Sequence, residues 1–348
     1  MTAFPPLHGT LALRVEETSG IGEARRIAMR FAEHIGFGEE DAGRVGLVVT
    51  EAATNMVNYA EQGQILLQRW DGCDASALEI IAIDKGPGIP DVGLALRDGY
   101  STAVSSGVGL GAIRRLSTQF EIYCPPRQGT AILARVAPAK AVVKAPAVFE
   151  WGGICVPKRD ELECGDAWSC ALVDGQPSVV VLDGLGHGRE AWAASLAGIG
   201  AFNALSASSP SAIIDAIHAA LRATRGAVGF VAKVDLAASK VVYAGIGNIA
   251  AAIVPVDGKK TAGLVSYSGT LGHAVRKHRE HHSGWGPDSL FVAHSDGVSQ
   301  RWSLGSYPGG LVRRAPSLVS AILYRDFASG RDDSVVVVGR ETTAEVST

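Results

Sequence analysis

The stretch from Arg135 to Glu150, RVAPAKAVVKAPAVFE, constrains this chain more than any other. It is rich in Ala, Pro and Lys, and no helical or strand period survives its prolines, so it reads as a linker. On either side lie enough residues for a separate hydrophobic core, and 348 residues exceed what one core usually holds. The sequence therefore predicts two domains, residues 1–137 and 150–340, joined by a linker over 138–149.

The two sides differ in pattern. Upstream, HGTLALRV reads as a strand, and SGIGEARRIAMRFAEHIG and EEDAGRVGLVVTEAATNMVNYAE read as amphipathic helices. Apolar alternation at GQILLQRW and ALEIIAID, a helix near 109–118, and strands at FEIYCPP and TAILARV complete an α/β sandwich with helices on one sheet. Downstream, strands are predicted at AWSCALVD, SVVVLD, VGFVAKVD, KVVYAGIG, AAIVPV, SLFVAHSD and DSVVVVGR, with helices near 189–207 and 210–225. Helices covering mainly antiparallel sheets follow, and the whole is an α+β chain of two domains.

Charge and composition exclude some functions. With 32 Lys and Arg against 35 Asp and Glu, a formal charge of -3 and no basic stripe, nucleic acid is not an expected partner. No apolar segment approaches the roughly 20 residues that span a bilayer, and the N-terminus lacks a basic region followed by an apolar run. Five cysteines without a C-x-x-C pair suggest a reduced, cytoplasmic protein. Self-association into a homo-oligomer stays open.

Three glycine clusters carry the chemistry: DKGPGIP at 84–90, SGVGLGA at 106–112 and VVVLDGLGHG at 179–188. Glu51 and Asn55 in TEAATNMVNYA stand four apart, one turn apart on one helical face, where a carboxylate base and an amide ligand for Mg²⁺ would fit. On the helix alone, the same pair describes a solvated polar face. Asp84 ends an apolar strand, and Gly86 and Gly88 after it let the backbone approach a flat ligand. Gly107, Gly109 and Gly111 lead into a helix whose free N–H groups favour an anion.

In this order, with Gly129 and Thr130 before the last strand, these motifs resemble the ATP site of the GHKL ATPase superfamily, which groups histidine kinases with gyrases. The compact form and the segment DGYSTAVSSGVGLGAIRRL are similar to the small serine kinases of bacterial partner-switching systems. The resemblance covers about the first 137 residues. It implies Asn55 as Mg²⁺ ligand, Glu51 as general base, Asp84, Gly86, Gly88 and Thr130 at adenine, and the glycines at 107, 109 and 111 on the ATP phosphates. A segment with a phospho-accepting histidine, as in a sensor kinase, is not apparent.

Beyond the linker, acidic residues recur at strand ends and turns: Asp166 in CGDAW, Asp183 in VVVLDGLGHG, Asp296 in FVAHSDGVS, and Asp332 with Asp333 in GRDDSVVVV. Each Asp-Gly alone describes a tight turn. Converging, such carboxylates would make a hard-cation site for Mg²⁺ or Mn²⁺. Together with AGIGNIAA, their order resembles the metal-dependent PPM phosphatases of the SpoIIE type, over roughly 150–340. This resemblance implies that Asp183 bridges two Mn²⁺ or Mg²⁺ ions, the Gly184 carbonyl contacts one, Asp296 and Asp332 bind the other, and Asp166 lies in or just outside the shell. His187 reads either as a proton donor to the leaving oxygen or as a structural histidine, and RKHREHH at 276–282 reads as a solvated basic face.

The expected function is a bifunctional regulator, with an ATP-dependent serine kinase fused to a metal-dependent phosphoserine or phosphothreonine phosphatase. The resemblance implies STAS-domain anti-sigma antagonists or stressosome proteins as substrates. The alternative makes the first domain a nucleotide-gated, catalytically silent module that sequesters a partner and regulates the phosphatase.

Overall fold

The computed structural model describes residues 4, 9–72, 74–97, 109–144, 148–257, 261–275 and 278–342. The chain divides into two compact units, Met1–Ala145 and Pro146–Thr348. Each has its own sheets and its own core.

The first unit runs β1 (Leu11–Arg14), α1 (Thr18–His34), α2 (Glu39–Tyr59), β2 (Gln64–Trp70), β3 (Ala77–Ile83), α3 (Val92–Ala95), α4 (Gly109–Leu116), β4 (Gln119–Tyr123) and β5 (Ala131–Val136). The strands form one antiparallel sheet in the order β1-β2-β3-β5-β4. Strand alternation decides which residues meet the helices. Ile65 and Leu67, Leu78, Ile80 and Ala82, and Ile132, Ala134 and Val136 join Phe31 of α1 and Val45, Val48, Val49 and Ala52 of α2 in one core.

The intervening residues turn to the opposite face and build a buried polar network. Arg135 Nε donates to Glu79 Oε2 at 2.6 Å, Gln68 Nε2 donates to Glu79 Oε1 at 2.6 Å, and Thr10 Oγ1 donates to Gln68 Oε1 at 2.6 Å. The Arg135 guanidinium also lies 5.0 Å from the Trp70 ring centroid. Residues following β5 stay tied to this unit. Ala137 O accepts from Arg44, Ala139 N donates to Asp41 Oδ1 at 3.1 Å, Val142 N to Asp74 Oδ1 at 2.8 Å, and Lys144 N to Gly72 O at 2.9 Å. Part of the proline-rich stretch is thus bonded to the first unit along its course.

The second unit comprises β6 (Phe149–Val156), β7 (Asp166–Val173), β8 (Gln176–Gly184), α5 (Arg189–Leu205), α6 (Pro210–Ala220), β9 (Ala227–Asp235), β10 (Lys240–Ile246), β11 (Ala250–Val254), β12 (Ala262–Leu264), β13 (Gly269–Thr270), β14 (Ala274–Val275), β15 (His281–Gly284), β16 (Leu290–His294), α7 (Pro316–Phe327) and β17 (Ser334–Glu341). Its main sheets run β15-β10-β9-β8-β7 and β12-β11-β16-β17-β6, with β13 and β14 as a separate hairpin. Val179 and Val181, Phe230 and Ala232, Phe291 and Ala293, and Val335 and Val337 fill the space between the sheets. On the outer side of the first sheet, Val180 and Leu182 meet Phe202 of α5 and Ile213, Ile214 and Ile217 of α6. Helix α7 packs against β6 and β17, with Ser320 Oγ donating to Gly152 O at 3.0 Å.

The two-domain α+β architecture expected from the sequence is therefore present, with β6 and α7 added to it. Strand β6 follows the proline-rich stretch directly and contains Gly152 and Gly153, so it offers little apolar alternation. Helix α7 is PSLVSAILYRDF, with nine of its twelve residues buried, and such an apolar run shows no amphipathic period. The expected basic face at 276–282 differs as well, over the residues described there. His278 Nε2 lies 3.6 Å from Asp215 Oδ1, Glu280 accepts from Ser211 N at 3.0 Å, and His281 pairs with Tyr243 in the edge strand β15.

Because Glu79 and Arg135 are 2% and 5% exposed, removing only one charge leaves the other buried. Arg135→Ala is expected to destabilise the first unit by about 3–5 kcal/mol, read as an earlier urea transition. The paired Glu79→Leu, Arg135→Leu variant is expected to recover most of that loss.

Candidate functional site

In the first unit, α2 presents Glu51 and Asn55, both half-buried, at the end of the helix nearest α4. A Cβ placed on Gly109 would lie 3.3 Å from Asn55 Oδ1, so the Asn55 amide rests against the first turn of α4 where free N–H groups point outward. Gly111 is buried one half-turn further along. Gly107 lies outside the described residues.

Asp84 and Thr130 come together across the strand ends. Asp84 Oδ1 accepts from Gly86 N at 2.8 Å and from Thr130 N at 3.2 Å, and both residues are 7% exposed. Gly86 O in turn accepts from Gly129 N at 3.0 Å, and Gly88 has φ +83. A Cβ at Gly86 would approach Tyr59 O and the Ala60 Cα to 3.0 Å. The glycines thus bring backbone close to the end of α2, and Asp84 is oriented by two amides.

In the second unit, the same alternation that sends Val179 and Val181 between the sheets sends Asp183 to that side at the strand's end. Strand β16 ends just before Asp296 and β17 begins just after Asp332, so the antiparallel pairing brings both to the same end of the sandwich. Asp183, Asp296 and Asp332 line one cavity of about 570 Å³, with Lys158, Leu185, His187, Asn248 and Ser268. Asp166 is the cross-strand partner of Asp183. Gly184 cannot carry a side chain, since a Cβ there would run into the Ala191 carbonyl and lie 2.9 Å from Gly165 O.

Asp333 plays a different part from Asp332. Its Oδ1 accepts from Lys158 N at 2.7 Å and its Oδ2 from Gly165 N at 2.9 Å, while Asp332 lines the cavity. Burial still raises the Asp333 pKa above the usual carboxylate value, against the lowering effect of these two amides. Burial is also the largest cause of the rise at Asp183, to about 7, and the charges of Asp296, Asp332 and Asp333 add to it. Asp166 is raised by burial first and by Asp183 next, with a hydrogen bond from Ser295 opposing. Its Oδ2 has no hydrogen-bond partner although it is buried.

An orphaned carboxylate oxygen beside a set of crowded acids suits a hard divalent cation, which would neutralise charges that now repel. Among the described residues, no three His, Cys, Asp or Glu side chains already stand in a metal-holding arrangement. The carboxylates line a cavity instead of closing on a point, which leaves room for carbonyl and water oxygens to complete a shell.

The structure brings in residues that sequence reading left aside. Asn248 Nδ2 donates to Asp296 Oδ2 at 2.9 Å. It sits inside AGIGNIAA, so the motif was visible but its side-chain contact was not. Lys158 lines the cavity with no neighbouring motif to mark it. His187 lines the cavity, and its Nδ1 lies 2.7 Å from Glu161 Oε1, with both side chains partly exposed.

Comparison with known proteins agrees with this layout. Residues 16–135 match the family described as histidine kinase-like ATPase domain, and residues 174–322 match the family of stage II sporulation protein E, SpoIIE. The chain belongs to the histidine kinase-like ATPase family through its first unit and carries a SpoIIE-type PPM phosphatase domain in its second. The first unit is 35% identical over 122 residues to the serine/threonine-protein kinase RsbT of Bacillus subtilis (strain 168), an alignment covering 35% of this chain and 92% of that kinase. The phosphoserine phosphatase RsbX of the same organism is 26% identical over 142 residues, covering 41% of this chain and 71% of RsbX. A solved structure from work on the bacterial stressosome superposes with a TM-score of 0.50 at 28% identity, covering 55% of this chain and 99% of the other. The crystal structure of RsbX with magnesium shares the fold, with a TM-score of 0.51 at 21% identity over 58% of this chain and 99% of RsbX. No helix among the described residues is long and apolar enough to cross a membrane.

Since the Asp183 pKa stands near 7 against an ordinary 3.8, the metal-free fold binds more protons than the unfolded chain between those values. Its contribution to stability is therefore lost as pH rises through that window. In chelator, Asp183→Asn is expected to stabilise the chain at about pH 8 by on the order of 1–4 kcal/mol. The advantage is expected to vanish by about pH 4, as measured by urea denaturation across pH.

Proposed function

We propose that this chain is a bifunctional regulator of a bacterial partner-switching pathway, phosphorylating and dephosphorylating serine or threonine on STAS-domain antagonist or stressosome proteins in the cytoplasm. Residues 1–137 act as the kinase and residues 150–340 as the phosphatase, with 138–149 between them. The observation that carries the reading is the convergence of Asp183, Asp296 and Asp332 on one cavity in a chain that also places Asn55 against a glycine-led helix start.

In the phosphatase site, Asp183 would bridge two Mn²⁺ or Mg²⁺ ions, the Gly184 carbonyl would reach one, and Asp296 and Asp332 the other, with Asp166 in or just outside the shell. Such ions supply an activated water and charge neutralisation for attack on a phosphomonoester. Asn248 fixes the orientation of Asp296, and the amides of Lys158 and Gly165 hold Asp333 so that the neighbouring Asp332 faces the cavity. His187, braced by Glu161, lines the cavity where a leaving serine oxygen would take a proton.

In the kinase site, Asn55 would hold the Mg²⁺ of ATP, and Glu51, one turn earlier, would align and deprotonate the acceptor hydroxyl. Asp84, its carboxylate oriented by Gly86 and Thr130, would accept from the adenine amine, with the Gly88 backbone, φ +83, turning beside it. Gly107, Gly109 and Gly111 would bring backbone N–H groups to the phosphates. A carboxylate at Glu51 favours this reading over a module that only binds nucleotide, which needs no base.

The test is transfer of labelled γ-phosphate from ATP to a STAS-domain protein, using Asp183→Ala so that hydrolysis does not mask transfer. Labelling is expected with Asp183→Ala and is expected to fall by about 10²-fold or more when Glu51→Ala is added. No labelling with Asp183→Ala would leave the first unit a binding module. Asp183→Ala alone is expected to abolish Mn²⁺-dependent hydrolysis of a phosphoserine protein while ATP binding persists. Asn55→Ala is expected to do the reverse.

A further inference from the structure

Two thiols meet beside the carboxylates. Cys155 Sγ, in β6, lies 3.6 Å from Cys164 Sγ, in the turn that leads directly into Gly165 and Asp166. Both cysteines carry thiols; Cys155 is buried and Cys164 half-buried. A disulfide needs sulfurs about 2.05 Å apart, so closing the pair asks the two side chains, and any backbone that carries them, to shift. Cys155 is held in a strand paired along its length with β17. Any backbone shift falls on the turn at Cys164.

That turn has little freedom to give without consequence. Gly165 N donates to Asp333 Oδ2 at 2.9 Å, and Gly165 O accepts from Gly184 N at 3.1 Å and from Ser195 Oγ. A Cβ on Gly165 would lie 2.7 Å from Asp333 Oδ2 and 2.8 Å from the Ala191 Cβ, so the packing is already closed. The Cys155 thiol also donates to Asp166 O at 3.3 Å, a bond that its oxidation removes.

We infer that Cys155 and Cys164 form a redox modification site whose disulfide displaces the Gly165–Asp166 turn and switches off the phosphatase unit; the loss of activity rests on the phosphatase reading, whereas the bond itself does not. The oxidant is a hydroperoxide. Sulfur of the more exposed Cys164 attacks the peroxide oxygen, giving a sulfenic acid and one water; Cys155 sulfur then displaces the second water and closes the S–S bond. Two thiols and one hydrogen peroxide yield one disulfide and two waters, with two electrons passing from sulfur to oxygen. A dithiol reverses the step by exchange.

The experiment uses the full chain, incubated with hydrogen peroxide for hours, desalted, then supplied with Mn²⁺ and p-nitrophenyl phosphate. Mass spectrometry without reductant is expected to find the Cys155–Cys164 linked peptide, with hydrolysis lowered about tenfold or more and restored by dithiothreitol. Cys155→Ala and Cys164→Ser are each expected to keep the untreated rate and to resist inactivation. Absence of the linked peptide, a linked protein with unchanged rate, or variants inactivated as fully as the parent would each overturn the inference. The peptide is read by mass even if the untreated chain does not hydrolyse the ester, so failure of this site and failure of the phosphatase reading are distinguishable.

Discussion

Carboxylates crowd the end of the sandwich because strand ends bring them there. Asp183, Asp166, Asp296 and Asp332 belong to different strands or their flanking turns, and only the pairing of β7 with β8 and of β16 with β17 delivers them together. Burial first, and then the neighbouring charges, raise the Asp183 pKa to about 7, and both oppose folding with the acid ionised. The aliphatic layer behind them, from Val179 and Val181 across to Val335 and Val337, supplies the burial that offsets it. The site is thus a region of stored repulsion on a stable scaffold, and a cation is the natural means of relieving it.

Small residues and backbone donors then decide which acid faces which way. Asp332 and Asp333 are chemically identical neighbours, yet two amides capture Asp333 and leave Asp332 on the cavity. Gly165 and Gly184 make that arrangement feasible, since side chains there would strike Asp333 and Ala191. The thiols of Cys155 and Cys164 touch this same framework, which couples their state to the acids without either sulfur facing the cavity-lining set.

The first unit shows a parallel economy. Asn55 meets Gly109, and Asp84 meets Gly86 and Thr130, because glycines admit close backbone approach at the ends of α2 and β3. Opposing faces of one sheet serve separate ends: one packs apolar residues on α1 and α2, the other buries the Glu79, Arg135 and Gln68 network. That network is fully hydrogen-bonded at Glu79 through both carboxylate oxygens, which is what lets two charges stay buried.

Much of this was legible in the sequence. Apolar alternation marked β2 and β3, short apolar runs marked β5 and β8, and helical period marked α1 and α2, since burial leaves a local pattern. The order of Asp84 and its glycines, and of Asp183, Asp296 and Asp332, marked the sites as motifs. Strand β6 and helix α7 left weaker traces, because glycines and burial all round erase periodicity. What only the tertiary structure decided were relations between distant residues: the amides that separate Asp333 from Asp332, the Asn248 contact to Asp296, the Glu161 brace on His187 and the meeting of Cys155 with Cys164. A local pattern records which face of an element is buried. Which side chains then meet depends on strand register and on turns closing over long separations, and no short window of sequence carries that information.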